Sequence, residues 1–209
     1  MKLQIPEKFK TQDFNEIAAF IGFFYILPIL GLTFGFFPFW SRHLVLFLAG
    51  IVLLAYSITK EISFKELGFS KRYLKSSIIY SALITAVGVL ALYLASKLSI
   101  IPIYHYEGSV LFFLFYVFIS APLQEFMFRS LMVYELEIYF GKFKDLAIVV
   151  ISAMVYSFAH VMYKSWPVLA ITFVVGLLWG YLYIKRPNFY AIAISHAILG
   201  AISIYFGYV

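Results

Sequence analysis

Seven apolar runs account for most of this sequence, and they limit the fold more than any other feature. They cover residues 17–40, 43–58, 76–95, 110–132, 146–163, 168–184 and 189–209. A helix needs roughly 17–25 mainly apolar residues to cross a hydrocarbon core, and most of these runs meet that length. The run at 43–58 is short and has to draw on Trp40 and its flanks. The first run is too long for a signal-peptide core and has no clear small-residue cleavage site, so it reads as a retained span bent at Pro28. Of the 209 residues, 64% are apolar and 12% are charged, against about half and a quarter in soluble domains. The reading is an all-α, polytopic transmembrane helix bundle of about seven spans. It forms a single membrane domain over 1–209, with N-terminal spans in 1–109 and a motif-bearing core in 110–203.

The polar residues between the runs carry the orientation. Lys2, Lys8 and Lys10 precede the first run, and Lys60, Lys65, Lys71, Arg72 and Lys75 follow the second. Lys142 and Lys144 follow the fourth, and Lys185 and Arg186 follow the sixth. With seven spans these groups share one side, and only Arg42, Lys97 and Lys164 lie on the other. Basic loops stay cytoplasmic, so the expectation is a multi-pass plasma-membrane protein with its N-terminus inside and its C-terminus outside. The net charge of +6 is thus assigned to the bilayer as partner and not to nucleic acid. There is no cysteine, which excludes disulfides and thiolate metal sites.

A few polar residues lie inside the apolar runs: Gln124, Glu125, Arg129, His160 and His196. Glu125 and Arg129 are four apart and share a helix face. Ionisable groups in a span are costly and tend to mark a pathway or a reaction centre. Each residue also has a plainer reading, as a packed core histidine or a self-neutralising pair. Their depths converge. The stretch 134–140 is amphipathic and is expected to project beyond the hydrocarbon, with a helix end at Gly141. Counting at 1.5 Å per residue then places Glu125, His160 and His196 each roughly 12 Å inside one face. Ala153, Tyr156 and Ser157 make a small, polar face beside His160, and Pro122 permits a kink beside Glu125. Gly176 and Gly180 form a G-x-x-x-G, read as close helix packing.

One carboxylate and two imidazoles can activate water and hold an oxyanion. They also match a zinc-hydrolase ligand set, with Glu125, His160 and His196 as candidate ligands and zinc as the candidate cofactor. A proton relay in a transporter would use the same groups, although no internal repeat is visible.

Three motifs, taken together, resemble the CAAX protease and bacteriocin-processing (CPBP) intramembrane endopeptidases. Gln124-Glu125-Phe126-Met127-Phe128-Arg129 is similar to the family's Glu-Glu-x-x-x-Arg. Tyr156-Ser157-Phe158-Ala159-His160 is similar to Phe-x-x-x-His, and His196-Ala197-Ile198-Leu199-Gly200 to His-x-x-x-Asn/Asp. Glu66-Leu67-Gly68-Phe69 and the span from Gly176 to Tyr183 look like the family as well. The resemblance implies an endopeptidase whose substrate is a membrane protein or a lipidated, for instance prenylated, peptide. It implies that His160 orients the water, that His196 donates to the oxyanion and that Arg129 is structural. The first carboxylate of the family's pair is Gln124 here, and the Asn is Gly200. Glu125 is therefore the candidate base, with Gln124, Arg129, Tyr156 and Gly200 as support around it. The alternative is a non-catalytic relative that acts in bacteriocin self-immunity or as a membrane binding partner.

Overall fold

The computed structural model describes residues 14–98, 109–141 and 145–207. Lys2, Lys8, Lys10, Pro102, His105, Lys142 and Lys144 lie outside them. All regular structure among the described residues is helical. Among the described residues six helices are long and apolar enough to cross a membrane: α1 (Phe14–Thr33), α2 (Phe39–Thr59), α3 (Leu74–Lys97), α4 (Val110–Phe140), α5 (Asp145–Tyr163) and α6 (Trp166–Lys185). A seventh, α7 (Phe189–Tyr205), is apolar but shorter. The short second run gains Phe39, Trp40 and Ser41, which add a 3-10 turn before Arg42. Large apolar side chains such as Phe36, Trp40, Leu83 and Phe118 cover the outside of the bundle, where a bilayer solvates them.

Proline shapes two of the spans in the same way. A proline has no N–H and its ring crowds the carbonyl four residues back, so the preceding turn opens. In α1 a π turn at Gly22–Ile26 ends two residues before Pro28. In α4 a π turn at Tyr116–Ser120 ends two residues before Pro122. A second π turn in α4, Phe126–Leu131, has no proline. Side chains from other helices hold its carbonyls instead. The Tyr25 hydroxyl donates to the Met127 carbonyl at 2.9 Å, and Ser152 Oγ donates to the Phe128 carbonyl at 2.8 Å. Gly141 ends α4 at φ +68°, a backbone conformation that glycine adopts without a steric cost.

The amphipathic tail of α4 does not project from the bundle. Val133, Tyr134, Glu135 and Leu136 are all buried. Tyr56 of α2 donates to Glu135 Oε1 at 3.1 Å, and Phe14 of α1 packs on Tyr139. The polar side of this stretch thus faces other helices rather than water. The small face of α5 is likewise used for packing. A Cβ at Gly176 would press on the backbone of Ala153 at 3.2 Å, and Ser157 Oγ donates to the Leu169 carbonyl at 2.8 Å. The G-x-x-x-G therefore lets α6 lie close against α5, as small residues do between membrane helices.

The 60–73 connection anchors the start of α7. Leu67 is fully buried, and the Phe69 ring stacks on Phe189 at 4.1 Å. Asn188 donates to the carbonyls of Ser70 and Arg72 and accepts from the Ala191 N–H as the N-cap of α7. The Ser77 hydroxyl reaches the Arg186 carbonyl, and Lys185 pairs with Asp145 at 2.6 Å. These bonds gather the 60–73 connection, the start of α5 and the α6–α7 turn at one end of the bundle. The start of α2 and the end of α5 meet at the other end, through the rings of Phe39 and Tyr163.

Candidate active site

Glu125 and Gln124 are adjacent on α4 and face different surroundings. Glu125 is fully buried. Its Oε1 lies 2.7 Å from His196 Nδ1, and its Oε2 lies 3.7 Å from Arg129 Nε. As a carboxylate, Glu125 accepts the proton on Nδ1 and so fixes the tautomer of His196. Arg129 is held further by Ser152 Oγ and the Phe128 carbonyl, and its guanidinium lies 4.6 Å from the centre of the Tyr156 ring. Charge is thus balanced where it is buried, as a low-polarity interior demands. Glu125 Oε2 and Arg129 Nε and Nη2 have no hydrogen-bond partner among the described residues.

Gln124 is half-buried, and its side-chain N–H donates to Ser120 Oγ at 3.2 Å. It lines a cavity of about 100 Å³ together with Arg42, His43, Tyr116, His160 and Tyr163. His160 follows the last regular turn of α5, where the chain turns into the 3-10 segment Val161–Tyr163. Its Nδ1 lies 3.0 Å from the Tyr156 carbonyl. A carbonyl only accepts, so the proton sits on Nδ1 and Nε2 keeps its lone pair.

A second cavity, of about 340 Å³, is lined by Tyr116, Tyr156, His160, Trp179, His196 and Gly200 among others. His160 and Tyr116 border both cavities. His196 stacks on Trp179 at 5.0 Å. The neighbouring Ser195 hydroxyl is 2.7 Å from Thr85 Oγ1 of α3 and accepts from Trp179 Nε1 of α6 at 3.0 Å. The histidine is therefore held from two sides. Tyr156 stands between the imidazoles, with ring centres 5.0 Å from His160 and 5.7 Å from His196. Its hydroxyl is 3.5 Å from His196 Nε2, at the outer limit of a hydrogen bond.

The structure therefore brings Glu125, Arg129 and His196 into one group and Gln124 and His160 into another. Tyr156 joins the two. The three candidate metal ligands, Glu125, His160 and His196, do not converge on one point. Among the described residues no three His, Cys, Asp or Glu side chains could hold a metal ion together. Glu125 and His196 turn their donors toward each other, and His160 is anchored to a backbone carbonyl one turn away. These residues do not fit a zinc ligand set. Sequence reasoning missed Tyr116 and Trp179. Tyr116, Ser120 and Gln124 recur at four-residue spacing, and that series of polar groups on one face was the available signal for the tyrosine.

Residues 106–202 match the family described as Type II CAAX prenyl endopeptidase Rce1-like. The resemblance of the three motifs is thereby shown over that segment, which is just under half of the chain. It spans most of α4–α7 and every site residue from Tyr116 to Gly200, while Arg42 and His43 lie outside it. No curated protein and no solved structure gives a significant match.

Proposed function

We propose that the chain is an intramembrane endopeptidase that hydrolyses a peptide bond of a membrane-associated or lipidated protein. One observation supports this reading: His160, with its Nδ1 proton engaged by the Tyr156 carbonyl, keeps a lone pair on Nε2 and lines both cavities. In the proposed reaction a water in the first cavity is held by the Gln124 carbonyl oxygen. His160 Nε2 takes its proton as the water oxygen bonds to the substrate carbonyl carbon, and the carbonyl π pair becomes the oxyanion. His196 faces that oxyanion from the second cavity in its doubly protonated form, with Nδ1–H held by Glu125 and Nε2–H free to donate to the oxyanion. The proton on His160 then passes to the amide nitrogen as the C–N bond breaks. A neutral amide cannot act as base, so Gln124 positions water and nothing more. Glu125 acts through His196, because it lines neither cavity.

The test is hydrolysis of a quenched-fluorescent farnesylated peptide by the full chain in liposomes. Release should be lost in His160→Ala and His196→Ala. Equal release by His160→Ala and wild type would end the reading.

A second reading is supported by the closed Glu125–His196–Arg129 group: a non-catalytic membrane partner, as in bacteriocin self-immunity. It would be favoured by a co-purifying membrane protein whose capture is unchanged by substitution of Glu125, His160 or His196. For orientation we propose the plasma membrane, with the N-terminus and the Lys60–Lys75 connection cytoplasmic and the C-terminus outside. The end of the bundle that holds Arg42, His43 and Tyr163 would then face outward. Reporter fusions that put the Lys142 loop outside would reverse this arrangement.

A further inference from the structure

Position 200 is a glycine, one helical turn after His196. It offers no side chain to the cavity, but the space beside it is filled. A Cβ built at Gly200 would run into the Tyr116 hydroxyl and the ring carbon that carries it. The end of the Tyr116 phenol thus stands where the side chain of residue 200 would otherwise be.

Three further observations concern that hydroxyl. Tyr116 is only 7% exposed, yet its hydroxyl makes no hydrogen bond to any described residue. The hydroxyl is not among the sealed polar atoms that lack a partner, so it opens onto a cavity from which it can donate. Tyr116 borders both cavities, and its hydroxyl stands beside Gly200, which lines the second. Its ring lies edge-on to His196 with centres 6.4 Å apart.

The backbone explains how it arrives there. The π turn before Pro122 begins at Tyr116, and the polar series Tyr116, Ser120, Gln124 continues from it along α4. The helix face that presents Gln124 to the first cavity also presents Tyr116. The resembled motif has Asn or Asp where this chain has Gly200, and the Tyr116 hydroxyl of α4 stands in that space.

We infer that Tyr116 is a catalytic residue: its O–H donates a hydrogen bond to the oxyanion formed on the substrate carbonyl, in place of a side chain at position 200. This rests on the endopeptidase reading above. The donor is neutral and stays protonated throughout. It stabilises charge that exists only after water has added to the carbonyl, so it acts on kcat and leaves ground-state binding alone.

The experiment uses the full chain in liposomes with the quenched-fluorescent farnesylated peptide. Tyr116→Phe removes one oxygen and should lower kcat by about 100-fold or more with KM unchanged, as loss of one oxyanion donor does. Its unfolding by SDS in mixed micelles should match wild type, since no internal hydrogen bond is lost. Gly200→Asn alone should also lose activity, because its amide collides with Tyr116. Tyr116→Ala combined with Gly200→Asn should regain at least about tenfold over Tyr116→Ala alone, because the amide then occupies the vacated space. A Tyr116→Phe variant with wild-type kcat overturns the assignment and leaves the endopeptidase reading standing. A wild-type chain that releases no more fluorophore than His160→Ala overturns both.

Discussion

Glu125 and Gln124 are neighbours on one helix, about 100° apart around its axis, and differ in almost everything in their surroundings. Glu125 is sealed among Arg129, His196 and Tyr156, and its charge is matched within a few ångströms. Gln124 borders a cavity with His160 and Tyr116, and Arg42 is the one fixed charge among its described lining residues. The contrast separates two tasks. Ions removed from water need fixed partners, and fixed partners resist rearrangement around a substrate. Neutral donors and acceptors beside a cavity cost less to leave open, and they can exchange partners as bonds form and break. In this reading the sealed side holds the site in shape and the open side reacts.

His160→Ala is the strongest challenge to that division. It should reduce kcat by about 1,000-fold, within the range that a general base contributes, and move SDS unfolding little. The side chain is half-buried, and its ring nitrogen bond is to a carbonyl on its own helix. Cleavage that survives would shift the chemistry back to the sealed side. Glu125→Gln probes that side directly. The amide keeps the shape and can still accept from His196, but it leaves Arg129 without a counter-charge. Removing one partner of a buried pair costs about 3–5 kcal/mol, so unfolding should come much earlier. Adding Arg129→Met should recover most of the loss. A Glu125→Gln chain that folds like wild type yet does not cleave would make Glu125 the working base and erase the distinction.

Gln124→Glu sharpens the comparison from the opposite direction. It sets a carboxylate on the open side beside His160, where it can share the proton from water. The expected result is a kcat raised roughly tenfold, with a new acidic limb in the pH profile as the added carboxylate titrates. An unchanged rate would mean that Gln124 does not touch the reacting water.

Much of this arrangement was legible in the residues themselves. Run length alone marks the helices, because a bilayer sets the minimum length of an apolar span. Pro28 and Pro122 each marked a disturbed turn, and Gly141 marked a helix end. The division between Gln124 and Glu125 was not legible. It depends on π turns and on partners far along the chain, such as Tyr25, which reaches Met127 across 102 positions. The burial of Tyr134, Glu135 and Leu136 was hidden for a similar reason, since a polar helix face looks the same whether it meets water or Tyr56. Tyr116 was overlooked because a tyrosine among phenylalanines reads as packing until the glycine opposite it is known.

The smallest expected effect comes from Asn188, which ties the sealed side to the 60–73 connection. Its fully buried side chain caps α7 and holds the carbonyls of Ser70 and Arg72. Asn188→Ala should destabilise the chain by about 1 kcal/mol, the usual value of a lost N-cap, read as an earlier midpoint of SDS unfolding. The same variant should keep the wild-type kcat. His196 lies two turns further along α7, where Ser195 is bonded to both α3 and α6 and Trp179 stacks on the imidazole. Those contacts fix the histidine independently of how α7 begins. If kcat instead fell by more than the stability loss accounts for, the position of His196 would depend on the far end of its helix. The sealed side would then be a lever moved by the 60–73 connection, and the rigidity assigned to it here would be wrong.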